Sequence, residues 1–221
     1  MKNIIVGIDF SKNSINSLKH AVAIALKTGA TLHLVWVKTP SISKGLAKDQ
    51  EGIMMKNAHK QLDELVASCK VEAPKSEVLS IILEGKPAQQ IPTYAKNLPQ
   101  SIIVIGTHGL SGFEERFIGS NAFKTVCAST VPVLVLREGI QINRDLTDIL
   151  IPIDTSFETL QKVNPAIAFA QAFSAKIHLL GVFVKSPEDK HIIKVVTGLR
   201  SSGKSTLLEI FAQLKLKELS I

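Results

Sequence analysis

Residues 101–121 read SIIVIGTHGLSGFEERFIGSN. The apolar run Ser101–Ile105 stops at Gly106, the first of four glycines that crowd with two serines and a histidine into residues 106–121, and residues Asn121–Ala128 then take helical spacing. A strand that runs into such a stretch and out into a helix places bare backbone N–H groups and a helix N-terminus on one side of a crevice. Glycine permits positive φ and removes the Cβ that would hold a phosphate away, and the N–H groups of a first helical turn carry partial positive charge. Ser120 adds a hydroxyl donor. Two readings stand at this point: a phosphate-binding loop, or a wide turn in which Ser120 caps the helix.

Working outward, residues 1–136 alternate short β-rich apolar runs with longer amphipathic segments. Strands are expected at Ile4–Ile8, Thr31–Val37, Glu77–Leu83, Ser101–Ile105 and Val131–Leu136, and helices at Ser14–Leu26, Ile53–Ser68, Ala88–Asn97 and Asn121–Ala128. This is the pattern of an α/β domain, an open parallel five-stranded sheet sandwiched by helices through right-handed crossovers. Ligands of such sheets bind outside the carboxyl ends of the strands, where the strand order reverses.

The chain also repeats itself. Asn3–Val37 lies over Asp148–Val182 without a gap, at an offset of 145 residues: Asp9 meets Asp154, Ser11 meets Ser156 and His33 meets His178. A shared β-α-β unit accounts for the match. The expected organisation is a nucleotide-binding domain over 1–136, a linker over 137–147, a partial second repeat over 148–185, and a tail over 186–221. No second SIIVIGTHG follows.

The 221 residues hold no apolar run of the roughly 18–20 residues that a bilayer span needs. Asp9 interrupts the apolar start where a signal peptide would keep its core, so a cytoplasmic location and no membrane partner are expected. The net charge of +7 is spread over lysines and arginines interleaved with acids, and one Trp and one Tyr leave little surface for base stacking. Nucleic acid is therefore not the expected partner. Cys69 and Cys127 form no C-x-x-C pair and are read as buried or inert thiols.

Gly106, Gly109, Gly119 and Ser120 fit the spacing G-x2-G-x9-G-[S/T]. With the opening IIVGIDFS, the second strand LHLVWV and the closing VPVLVLR, they resemble the universal stress protein family over the N-terminal 136 residues. The resemblance implies the adenine nucleotide alpha hydrolase-like fold, with ATP as ligand and Mg²⁺ or Mn²⁺ bridging its phosphates. It gives Asp9 to the ribose or adenine side, Val37 to the adenine, and Ile105 to the flank of the nucleotide. Gly106 and Gly109 would line the phosphate path, and Gly119, Ser120 and Asn121 would hold the outer phosphates. Gly7 belongs to the same set and stands where the family often has proline, which Pro152 restores in the repeat. The family commonly pairs through its edge strand, here Val131–Leu136, so a homodimer or pairing of the two repeats is implied. A stress-response sensor or regulator is the implied role. His108 and Glu114–Arg116 read as exposed loop residues, and without a nucleophile and base no catalytic residue is assigned, leaving ATP hydrolysis slow at most.

Gly198–Ser205, GLRSSGKS, fits the P-loop spacing G-x4-G-K-[ST], with Gly198, Gly203, Lys204 and Ser205 as its phosphate and Mg²⁺ contacts. IIKVV is expected as the preceding strand and TLLEIFAQLK as the following helix, resembling the start of an AAA-type ATPase. Sixteen residues follow Ser205, and the acidic strand that completes such a site is not among them. The tail is expected instead to patch the sheet of the second repeat or to help pair two chains. Two rival functions stand beside the leading one: a P-loop NTPase fragment, and a dimeric interaction module that needs no nucleotide.

Overall fold

The computed structural model of the protein describes residues 1–39, 48–107, 120–137, 146–153, 161–183 and 192–200. The chain divides into two compact units, Met1–Ile142 and Asn143–Ile221.

The first unit runs β1 (Asn3–Ile8), α1 (Lys12–Thr28), β2 (Thr31–Lys38), α2 (Lys48–Glu72), β3 (Val78–Glu84), α3 (Pro87–Lys96), β4 (Ser101–Gly106), α4 (Ser120–Ala128) and β5 (Val133–Leu136). Its five strands are all parallel in the order β3-β2-β1-β4-β5. The order reverses at β1, which pairs with β2 on one side and β4 on the other, so the switch point lies between β1 and β4.

The central strands are apolar on both faces because helices cover both. Ile5, Val35, Ile103 and Ile105 pack with Ile91 and Ala95 of α3 and Ala122 of α4. Ile4 and Val6 alternate with Ile5 and are fully buried on the opposite face, where α1 lies on β1 and β4. α1 presents Leu18, Ala21, Val22 and Ala25 to the sheet, and its small alanines let it approach closely. Ser11 caps its start by accepting from the Ser14 N–H, and Gly29, at φ 67°, ends it. β5 starts two residues later than its apolar run, after Pro132, which has no N–H and contributes only its carbonyl to Ile103.

A buried histidine ties three elements of this unit together. His33 Nε2 lies 3.0 Å from Asn3 Oδ1, and its Nδ1 lies 2.9 Å from Tyr94 Oη. Asn3 Nδ2 donates to the Pro99 carbonyl at 2.8 Å, which turns Oδ1 toward the ring. The directed chain that satisfies every group is Tyr94 O–H to Nδ1, Nε2–H to Asn3, and Asn3 to Pro99, with the imidazole neutral. Burial lowers the His33 pKa, against a smaller upward pull from Glu77.

The second unit contains β6 (Asp148–Ile153), α5 (Val163–Phe173), β7 (Lys176–Phe183) and β8 (Ile192–Arg200), with sheet order β6-β7-β8. β6 and β7 pair in parallel from Asp148↔Lys176, and β1 and β2 pair from Asn3↔Thr31, each position 145 residues earlier. The Ser174 N–H bonds to the Ala170 carbonyl as the Gly29 N–H bonds to that of Ala25. His178 Nε2 meets Asp148 Oδ1 at 2.7 Å, as His33 meets Asn3. Ile151, Ile153, Val163, Ala166, Ala170, Ile177 and Leu179 form the core of this unit.

β8 departs from the tail's sequence reading. It continues past Val196 through Arg200, antiparallel to β7, with an irregularity of register between Ile177 and Leu179. Gly198 therefore lies inside a strand rather than opening a loop. Gly203, Lys204, Ser205 and the expected helix TLLEIFAQLK lie outside the described residues.

Candidate functional site

A cavity of about 590 Å³ opens at the carboxyl edge of the first sheet. Gly7 and Ile8 reach it from β1 and Asp9 from just beyond it, Trp36 and Val37 from β2 and Thr39 from just beyond it, Ile105 and Gly106 from β4, and Ser120, Asn121 and Thr125 from α4. It is large enough for a nucleoside with part of its phosphate chain. Of the residues expected at the site, Gly7, Asp9, Val37, Ile105, Gly106, Ser120 and Asn121 all line it, while Gly109 and Gly119 lie outside the described residues, as do His108 and Glu114–Arg116.

The electrostatics come from the backbone. α1, α3 and α4 each direct their N-terminal end at the cavity, through Ser14, Pro87 and Ser120 respectively. None of the three has an acidic residue in its first turn, so no carboxylate there offsets the positive end of the helix dipole. α3 begins with Lys86 at its cap position, which makes no side-chain capping bond, and Pro87 follows at the start of the helix, where its missing N–H costs nothing. The positive ends of these three helix dipoles favour an anion in the cavity.

Lys38, at the end of β2, is committed elsewhere. Its Nζ bonds to Glu51 and, at 3.1 Å, to Glu84, and those two bonds, Glu51 first, raise its pKa. Its charge is already compensated and does not supply the counter-charge of the cavity.

Asp9 stands exposed just beyond β1. Its Oδ1 accepts from the Ser11 N–H at 3.0 Å, and its own N–H donates to Ser14 Oγ at 3.3 Å. Ser11, not Asp9, is therefore the cap of α1, and the aspartate serves the turn that precedes it.

Gly106 has a reason beyond the cavity. A Cβ there would come within 2.8 Å of both the Asn13 carbonyl oxygen and Ser17 Oγ, and Ser17 Oγ already donates to that carbonyl. Only glycine lets α1 lie this close to the end of β4. At Gly7 a Cβ would stand 3.1 Å from Ile91 Cδ1, so a larger residue there would require the tip of Ile91 to shift.

Trp36, Thr39, Pro87, Ile91 and Thr125 line the cavity without having been expected there. Pro87 had a visible signal: EGKP at residues 84–87 is a glycine turn followed by proline at a helix start. Among the described residues, no group of three His, Cys, Asp or Glu side chains could hold a metal ion by itself, and no helix is long and apolar enough to cross a membrane.

The chain is similar to several known proteins. It is 31% identical to universal stress protein YxiE of Bacillus subtilis, across 60% of this chain and 97% of that protein. Universal stress protein MJ0531 of Methanocaldococcus jannaschii is 29% identical across 62% of this chain and 82% of its own length. The solved structure of MJ0577 covers 63% of this chain at TM-score 0.52 and 25% identity, with 98% of that structure matched. A universal stress protein of Archaeoglobus fulgidus shares the fold over 98% of this chain and 72% of its own, at TM-score 0.68 and 19% identity. Two further universal stress proteins, each 20% identical, are solved with cAMP, at TM-score 0.48, and, from Archaeoglobus fulgidus, with dAMP, at 0.45. The family model "Universal stress protein family" matches residues 1–137, and the chain belongs to that family.

Proposed function

We propose that the first unit binds ATP with Mg²⁺ or Mn²⁺ in this cavity and that the protein acts as a stress-response sensor or regulator, with slow hydrolysis at most. The observation that carries the reading is the convergence of three helix N-termini, free of first-turn acids, on a cavity at the switch point of a parallel sheet. The apolar side formed by Val37, Ile91 and Ile105 suits a base, and the α4 end with Ser120 and Asn121 suits phosphates. Gly109 and Gly119 complete the phosphate motif in sequence. Each charge-assisted hydrogen bond contributes about 1.5–3 kcal/mol, so three or four of them, less the costs of ordering, reach micromolar affinity at about 8 kcal/mol.

The described residues fit a divalent ion held chiefly by the ligand. Mg²⁺ commonly keeps phosphate oxygens and water among its ligands and needs no dedicated protein cage. The ion would neutralise the phosphate chain, and the protein's own share is to orient it with the N–H groups of α4.

The second unit is proposed as a partial repeat of the same domain with a structural role. The shared strand register, the matching helix ends and the paired histidines support this. β5, at an edge of the first sheet, is the proposed pairing strand for a second chain.

Isothermal titration of Mg-ATP into the wild-type chain, Gly119→Val and Lys204→Ala tests the proposal. Binding that is lost in Gly119→Val and kept in Lys204→Ala supports it. Loss only in Lys204→Ala would move the site to the tail, and no binding by wild type would leave the interaction-module reading.

A further inference from the structure

Phe10 occupies a conformation that its residue type disfavours, at the point where the cavity begins. β1 ends at Ile8 and α1 starts at Lys12, so Asp9, Phe10 and Ser11 must turn the chain. Phe10 does this with φ at 63°, in the left-handed region that favours glycine or asparagine. The hydrogen bonds of the turn run from the Ser11 N–H to Asp9, from the Ser14 N–H to Ser11 and from the Asp9 N–H to Ser14. None of them uses the phenyl ring, and a glycine would make the same turn with less strain.

What the ring adds is a contact with Trp36. The two ring centroids lie 6.3 Å apart, tilted by 36°. Trp36 pairs with Ile8 across the sheet, lines the cavity and precedes Val37. The ring pair thus joins the turn carrying Asp9 to the strand end carrying Val37, and both residues line the cavity. The repeat gives an independent indication. At the offset of 145, Phe10 and Trp36 become Thr155 and Gly181, in the half that also lacks the glycine motif. Both rings are missing from the copy without the phosphate loop.

We infer that Phe10 is a positioning residue of the nucleotide site: its strained turn and its ring contact with Trp36 hold Asp9 at the cavity. This rests on the ATP reading above. Strained residues persist where the surroundings over-determine them, and they concentrate at functional sites.

The test is a set of Mg-ATP dissociation constants for the full chain as wild type, Phe10→Gly, Phe10→Asn, Phe10→Tyr, Asp9→Ala and the Phe10→Gly/Asp9→Ala double variant. Unfolding temperatures without nucleotide confirm that each is folded. Phe10→Gly and Phe10→Asn accept the turn but lack the ring, and both should weaken binding about tenfold, the equivalent of one hydrogen bond to a charged group. Phe10→Tyr should restore it. The double variant should bind no more weakly than Asp9→Ala alone, because Phe10 acts through Asp9. Wild-type affinity in both Phe10→Gly and Phe10→Asn, or losses that simply add in the double variant, would overturn the inference while leaving the ATP reading intact. A wild-type chain that binds no Mg-ATP would overturn both.

Discussion

Gly106 lies so close to helix α1 that a Cβ at this position would stand 2.8 Å from the Asn13 carbonyl oxygen. That oxygen belongs to the backbone of the first turn of α1 and cannot swing aside. Gly106→Ala should therefore destabilise the first unit by about 1–3 kcal/mol, the usual cost of forcing a methyl group into a packed site. The midpoint of urea unfolding measures this, and an unchanged midpoint would show that α1 can retreat freely.

The two units end their first helices with the same backbone geometry but different residues. Gly29 has φ 67° with open space where a Cβ would go, and Ser174 has φ 56°. Gly29→Ala should cost about 1 kcal/mol and Ser174→Gly should contribute about the same in the other direction, because only the left-handed conformation is being changed. Hydrogen exchange of the β2 amides for the first variant, and of the β7 amides for the second, reports each unit separately. Equal protection in wild type and variants would contradict the assignment.

His33 makes stability depend on pH. Its folded pKa is lowered by burial from an ordinary value near 6.5, so below that pH the unfolded chain takes up a proton that the folded chain refuses. The contribution is present in full above about 6.5 and is lost as pH falls toward the lowered folded value. Wild type should lose more stability between pH 7 and pH 5 than His33→Gln, whose side chain does not titrate. Parallel unfolding curves across this range would count against it.

The two cysteines should separate kinetically. Cys69 is buried, and its thiol is pushed up to about 11 chiefly by that burial, with Glu72 adding to the shift, whereas Cys127 is exposed on α4. A thiol reagent at neutral pH should modify Cys127 rapidly and Cys69 only on unfolding. Rapid labelling of both in the native protein would mean that α2 opens readily.

Much of the first unit was legible in sequence because its signals are local and agree with one another. SIIVI and LHLVWV are strands short and apolar enough to be central, and the segments between them carry helical spacing. Asp9, Gly106 and Ser120 could be placed because a strand–turn–helix order fixes which end of the sheet they occupy. The close approach behind Gly106 depends on Asn13, ninety-three residues earlier, and has no local signature. Trp36 and Ile91 were missed because pocket-lining apolar residues look like core residues. The end of the tail's strand was misjudged at Gly198 since a glycine after an apolar run marks a loop and a bulge equally well. Its antiparallel pairing with β7 depends on distant chain.

The most direct measurement is the unfolding temperature of the full chain with and without millimolar Mg-ATP. A ligand at 100 times its dissociation constant stabilises the folded state by about 2.7 kcal/mol, which raises the transition by several degrees in a domain of this size. The account predicts such a rise, with the first unit carrying it and Gly119→Val abolishing it. An unfolding temperature that is the same with and without the nucleotide would contradict the claim that the cavity between β1 and β4 is an ATP site.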